Sequence, residues 1–131
     1  MHILFATRIE ELPVGDEALR AGLERCAWLL AEDDAAGNAW CETEGYDGYT
    51  SYASLDDLPE RFPEFTALKK HLDKAAAKFA RDHHWDMDGL AISLDAIWVN
   101  ILGEGGHHSG HIHPGSVISG TKARRFSISP P

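Results

Sequence analysis

The segment 97–120 has the sequence IWVNILGEGGHHSGHIHPGSVISG, and it decides the predicted fold. Upstream of it, apolar residues recur at helical spacing, whereas from Leu90 onward the apolar period shortens to two, which is typical of strands. The same segment holds four of the eight histidines of the chain, His107, His108, His111 and His113. We therefore predict an α+β protein whose chemistry lies in this segment.

The alternation from Leu90 to Leu102 predicts a strand, and Ile97 to Leu102 is apolar on both faces, so we expect burial on both sides. Asn100 is a polar residue inside this run and must be hydrogen-bonded or face a cavity. A structural bond to the next loop and a role in a site are both open for it. After the glycine-rich connection at 103–106, a second strand would place His111 and His113 on one face, close enough to share a metal ion.

The preceding residues predict helices packed beside these strands. A first strand is expected at 2–9, and a helix capped by Asp16 at about 17–31, stopped by the segment 32–38 with its Gly37–Asn38 pair. Residues 39–52 are predicted to form a structured loop, whose tyrosines and Trp40 either line a ligand cavity or cover the core. A short helical turn at 55–61 precedes a long helix that begins at Pro63 and carries an apolar stripe from Phe65 to Phe79. We expect His71, His83 and His84 to lie on the surface near this helix.

Composition narrows the functional classes. The 131 residues fit one domain, which we divide into a helical part at 1–89, strands at 90–121 and a divergent tail at 122–131. The net charge of −9 disfavours nucleic acid and anionic membranes as partners. Cys26 and Cys41 form no redox or zinc motif and are expected to be small buried residues. No signal-peptide or membrane-spanning run is found, so a cytoplasmic protein is expected.

Several motifs together resemble a family of 2-oxoglutarate/Fe(II)-dependent oxygenases. In that branch a W-x-N motif precedes H-x-H-P-x-S-x-x-S-G, and the chain has Trp98-Val99-Asn100 followed by 111–120, HIHPGSVISG. Trp40, the segment 45–52, the turn at 55–58 and the helix from Phe65 to Phe79 are also similar to the N-terminal half of the family. The resemblance covers roughly residues 1–121.

The resemblance implies helices packed on a double-stranded β-helix, or jelly roll, that holds Fe(II) and uses 2-oxoglutarate as co-substrate to hydroxylate a small molecule or a protein side chain. His111 and His113 match the closely spaced pair of metal ligands, the second of which is a carboxylate in many relatives. Asn100 and Ser119 are the residues of these motifs that we expect to contact the co-substrate. An imidazole in place of the carboxylate would leave the site more positive by one charge.

The resemblance ends near Thr121. The family continues with further strands, a distal histidine ligand and an arginine that anchors 2-oxoglutarate, whereas none of residues 114–131 is His, Asp or Glu. Arg124 and Arg125 occupy the wrong place in the order to be that anchor. These observations predict a truncated or frame-shifted member of the family, with half a jelly roll whose open strand edges favour pairing with another chain, including a second copy.

Three functions therefore compete at the level of the sequence. The first is an oxygenase of this family. The second is a non-catalytic protein that binds Zn or Ni through His107, His108, His111 and His113, or that completes the sheet of a partner. The third is a cupin-like isomerase or dioxygenase that binds metal without 2-oxoglutarate.

Overall fold

A computed structural model of the chain describes residues 2, 4 and 6–122. The elements in chain order are α1 (Glu17–Asp33), α2 (Ala35–Glu44), β1 (Gly48–Thr50), α3 (Leu58–Arg61), α4 (Pro63–Asp82) and β2 (Asn100–Leu102). This is a mixed α+β arrangement, which confirms the predicted fold class.

Helix α1 forms as its sequence predicts. The Asp16 side chain accepts a hydrogen bond from Leu19 N at 2.9 Å and so caps the first turn. The apolar face of α1 contributes Leu23, Cys26 and Leu30 to the core, where α4 adds Phe65 and Leu68. Both cysteines are buried, as predicted. Burial, together with the negative charge of Glu64, raises the pKa of Cys26 to about 11.

Helix α2 corrects a prediction. Residues 32–38 were expected to end the first helix and 39–52 to form a loop, but a second helix occupies Ala35–Glu44. Asp34 explains the difference, because its carboxylate accepts from Gly37 N at 2.9 Å and caps a new helix, and it is the single residue between α1 and α2. Gly37 and Asn38 lie inside α2, and Gly45 supplies the left-handed C-cap at φ +64° instead.

Helix α4 begins at Pro63, as predicted, and the short helix α3 precedes it. Phe65 and Leu68 on its apolar stripe are buried in the core. The prediction of solvated surface histidines holds fully for His84 alone, because His71 and His83 are half-buried. The ring of His83 packs edge-on against Phe79, with 4.3 Å between the ring centroids.

The strands are shorter than predicted. β1 and β2 pair antiparallel, with Gly48 opposite Leu102, Tyr49 opposite Ile101 and Thr50 opposite Asn100. Only Asn100–Leu102 of the predicted strand at 90–102 is paired, and the expected burial on both faces is wrong. Its odd-numbered apolar residues, Ile97, Val99 and Ile101, pack against the core, whereas Asn100 is exposed on the other face.

Two further predicted strands do not form. His2, Leu4 and residues 6–9 have no regular structure, and Ile3 and Phe5, on which the first strand also depended, lie outside the described residues. Residues 103–122 form loops and turns, so the strand expected to carry His111 and His113 is absent. A strand needs a hydrogen-bonded neighbour, and none lies beside these segments in the described part of the chain.

The described residues therefore contain a single two-stranded sheet and do not form the jelly roll that the resemblance implies. The predicted tail at 122–131 lies outside the described residues except for Lys122. Among the helices of the described residues, none is both long and apolar enough to cross a membrane.

Candidate metal site

The site is built on the outer face of the segment that leads into β2. Ser51, which is fully buried, fixes this segment, since its backbone N–H donates to Val99 O and its hydroxyl accepts from Val99 N, both at 3.0 Å. With Val99 turned toward the core, the alternation of side chains places Trp98 and Asn100 on the opposite face. The period of two was therefore predicted correctly here, although only part of the segment is paired.

Asn100 makes hydrogen bonds on both sides of its amide. In the orientation of the amide that satisfies both of its ends, the nitrogen donates to Thr50 Oγ1 at 2.6 Å and the oxygen accepts from Trp98 Nε1 at 3.3 Å. The same amide lies 3.2 Å from His108 Nε2 and 3.4 Å from the hydroxyl of Tyr46. Asn100 is therefore hydrogen-bonded, and His108 of the next loop is one of its neighbours, whereas its role in a site stays a prediction.

His111 and His113 lie close together without a strand to align them. Their ring centroids are 4.8 Å apart with an angle of 67° between the rings. A turn over Pro114 and Gly115 follows them, in which Ser116 N donates to His113 O at 3.2 Å and Gly115 adopts φ +83°. The predicted proximity of the two imidazoles is confirmed, but a loop and a turn produce it.

The neighbours of these two rings define their orientation. His113 is half-buried and stacks on Trp98, with centroids 5.5 Å apart and an angle of 25°. His111 is exposed, and its Nδ1 lies 2.9 Å from Ser109 O. A carbonyl oxygen only accepts hydrogen bonds, so Nδ1 of His111 carries a proton, and in the neutral ring Nε2 is then the nitrogen with the lone pair. Carbonyl contacts of this kind orient many metal-binding histidines.

His108 lies beside His111 and adds a third imidazole next to the pair formed by His111 and His113. Its ring lies 5.7 Å from that of His111, and its Nε2 is 2.8 Å from the Tyr46 hydroxyl. Burial, with a smaller contribution from Cys41, raises the pKa of Tyr46, so this hydroxyl stays neutral. His107 is exposed and makes no hydrogen bond or ring contact with another described residue.

Tyr46 and Tyr52 lie next to the candidate site, and the sequence left open whether they line a ligand cavity or cover the core. Tyr46 contacts His108, and Tyr52 packs edge-on against Trp98 at 5.3 Å. Tyr49, the third tyrosine of the loop, is buried in the core instead. Tyr49 therefore covers the core, as one alternative predicted, while Tyr46 and Tyr52 contact His108 and Trp98; a ligand cavity lined by these tyrosines stays a prediction.

The donor set does not complete a metal centre. Among the described residues, no three His, Cys, Asp or Glu side chains are grouped so that they hold one ion. Two imidazoles with a defined tautomer at His111 fit a half-site, but the carboxylate of a two-histidine, one-carboxylate iron centre has no counterpart there. Ser119, the other predicted co-substrate contact, is exposed and makes no hydrogen bond with another described residue.

When the sequence is compared with known proteins, it matches no family model and no curated protein. The resemblance to the oxygenases rests on the motifs of the chain itself and stays a prediction.

Proposed function

We propose that this chain is an oxygenase-like metal protein in which His111 and His113 bind one divalent transition-metal ion. The observation that carries the proposal is the pairing of these two rings, with Nε2 of His111 left free by the bond to Ser109. Imidazole nitrogens with an available lone pair suit Zn, Ni, Cu and Fe.

The ring separation supports the proposal quantitatively. Metal–nitrogen distances near 2.0–2.1 Å and ligand angles between 90° and the tetrahedral value place two imidazole centroids about 4.5–5.2 Å apart around a shared ion. The measured 4.8 Å between His111 and His113 lies inside that interval. The two rings therefore need little movement to bind the same ion.

The choice of Fe(II) and 2-oxoglutarate rests on the resemblance, with one structural observation in its favour. The W-x-N motif and the H-x-H motif are separated in sequence, yet Trp98 of the first stacks on His113 of the second. Motif residues that share one site are expected to meet in this way. The proposed contacts of Asn100 and Ser119 with 2-oxoglutarate rest on the motif alone, as does a jelly roll.

Anaerobic titration with Fe(II), with and without 2-oxoglutarate, followed by oxygen and a measurement of succinate, tests this function. His111→Ala and His113→Ala are expected to weaken metal binding at least about tenfold each. His84→Asn is the matched control, since His84 is exposed, makes no ring contact with the histidines of the site and has φ +53°, a conformation that asparagine tolerates. Equal binding by all three variants and the wild type would refute the assignment of the ligands.

A non-catalytic role is the second candidate, and two observations favour it. No three potential ligands are already grouped around one point in the described residues, and no strand pairs with the outer edges of β1 and β2 within them. Such a protein binds metal through the histidines or adds its strands to the sheet of a partner. Metal binding that is indifferent to 2-oxoglutarate and yields no succinate would support this role over the oxygenase.

A further inference from the structure

We infer that His108 is the third protein ligand of this site and that Tyr46 is the residue that positions it. The inference rests on the proposed metal binding by His111 and His113. It assigns the site to a first-row divalent ion held by three neutral imidazoles, a ligand set suited to Zn, Ni, Cu or Fe.

The distances place His108 just outside a ligand position. Its ring centroid is 5.7 Å from that of His111, about 0.5 Å beyond the upper limit of about 5.2 Å for two imidazoles on one ion. This gap explains why no three-residue group is already formed. Gly110 lies between the two histidines, and a Cβ built on it meets no heavy atom within 4 Å, so there is space around the backbone for the loop to close this gap.

Tyr46 selects the nitrogen of His108 that is free to bind. Its hydroxyl lies 2.8 Å from Nε2, and the amide of Asn100 lies 3.2 Å from the same atom. In the tautomer in which Nε2 carries the proton and donates to the Tyr46 and Asn100 oxygens, Nδ1 keeps its lone pair and is the nitrogen available for the metal. One ring nitrogen held by a neighbour and the other directed to the ion is the usual arrangement of metal-binding histidines.

The order of the rings agrees with this assignment. His108 contacts His111, His111 contacts His113, and Trp98 and Tyr46 close the two ends of the row. His107 precedes His108 directly but takes no part in it. His108 is thus distinguished from His107 by its position in the row of contacting rings, and not by the number of histidines in the loop.

Titration of the full chain with Co(II) and Ni(II) tests the inference, with dissociation constants from calorimetry and the Co(II) absorption spectrum as readouts. His108→Ala is expected to weaken binding at least about tenfold and to change the Co(II) spectrum, because one nitrogen ligand is lost. Tyr46→Phe keeps the ring but removes the hydroxyl, and is expected to weaken binding about tenfold, the lower end for residues that orient a ligand. His107→Ala is the matched control and is expected to bind as the wild type does.

The outcomes separate this inference from the proposed function. If His108→Ala binds like the wild type while His111→Ala and His113→Ala do not, His108 is not a ligand and the two-histidine site stands. If His107→Ala and His108→Ala lose the same metal affinity, the two histidines contribute equally, His108 has no distinct role as a ligand, and the inference is wrong. If none of the four alanine variants weakens binding, the proposed function fails as well.

Discussion

Asp34 joins three parts of the fold through one carboxylate. Oδ1 caps α2 at Gly37 N, while Oδ2 accepts from the hydroxyls of Tyr49 and Ser54. Burial of Asp34 favours the protonated acid, but these hydrogen bonds outweigh it and lower the pKa of the carboxyl below its ordinary 3.8. The folded state therefore prefers the ionised form of Asp34.

Asp34→Asn isolates the two hydroxyl bonds, because an asparagine oxygen still caps α2 but its amide nitrogen does not accept. We expect the free energy of unfolding at pH 7 to fall by about 1–3 kcal/mol, the usual cost of leaving part-buried polar groups unpaired. Since the folded pKa is lowered, the stabilisation is present above pH 3.8 and is lost as the pH falls through the folded pKa. The gap between wild type and variant should accordingly shrink below pH 4 in urea titrations.

Asp33 provides the control for this prediction. It is exposed at the end of α1, and Asp33→Asn should change the free energy of unfolding by no more than about 0.5 kcal/mol. A gap between Asp34→Asn and the wild type that stays constant down to pH 2 would contradict the account of Asp34.

At the scale of the element, the register of the sheet depends on Gly48. This residue has φ +130°, and a Cβ built on it would lie 2.1 Å from Ile101 O of the paired strand. Gly48→Ala is expected to reduce the free energy of unfolding by more than about 2 kcal/mol, through backbone strain and loss of pairing. Thermal and urea unfolding measure this loss.

Gly103 gives a matched control for Gly48. It follows Leu102, the partner of Gly48, and a Cβ there meets no heavy atom within 4 Å. Gly103→Ala should stay within about 0.5 kcal/mol of the wild type. If Gly48→Ala and Gly103→Ala reduced the free energy of unfolding by similar amounts, the close approach of the two strands would not be the reason that position 48 needs glycine.

The segment before β2 is held to α4 by Asp73. One carboxylate oxygen of Asp73 accepts from Leu94 N at 2.6 Å, and the other pairs with Lys69 at 2.8 Å. Removing the acceptor with Asp73→Ala should raise the exchange rate of the Leu94 amide at least about tenfold, as expected for a lost bond to a charged group. Hydrogen exchange followed by NMR measures this rate.

Asp73→Asn is the informative companion, since its amide oxygen still accepts from Leu94 N. We expect the Leu94 amide to keep most of its protection in this variant. If Asp73→Ala and Asp73→Asn exchange equally fast at Leu94, the hydrogen bond does not anchor the segment.

Helices were more predictable than strands in this chain because their determinants are local. Each of three signals is recognised from a few neighbouring residues: the cap at Asp16, the proline at position 63 and the apolar stripe that includes Phe65. Helix α2 was missed because Gly37 and Asn38 resemble a helix end, whereas the cap that starts α2 lies three residues earlier, at Asp34. The strands depended on partners, which no local pattern reveals.

At the scale of the whole molecule, the α+β class was predicted correctly from the sequence, whereas the described residues do not show the jelly roll. The described residues bury one core between α1, α4 and the inner face of the segment leading into β2. The histidine-rich loops lie outside that core, on the exposed side of the sheet. A metal ion at this place would tie the loop at 107–113 to the rest of the fold.

The sequence named the two candidate ligands of the site but not their surroundings. The H-x-H spacing identified His111 and His113, yet the proximity comes from a loop and a turn and not from a strand. Tyr46 joins them from far away in sequence, and no periodicity links it to His108. Contacts of this kind depend on how β1 and β2 pair, so only the structure shows them.

The central claim is that His111 and His113 share one metal ion, and the ring nitrogen resonances of the histidines test it most directly. On titration of the ¹⁵N-labelled chain with diamagnetic Zn(II), Nε2 of His111 should shift as a metal-bound nitrogen while Nδ1 stays protonated beside Ser109. One nitrogen of His113 should shift at the same metal concentration, with His84 unchanged. Resonances of His111 and His113 that stay in place, or that shift no more than those of His84, would contradict the claim.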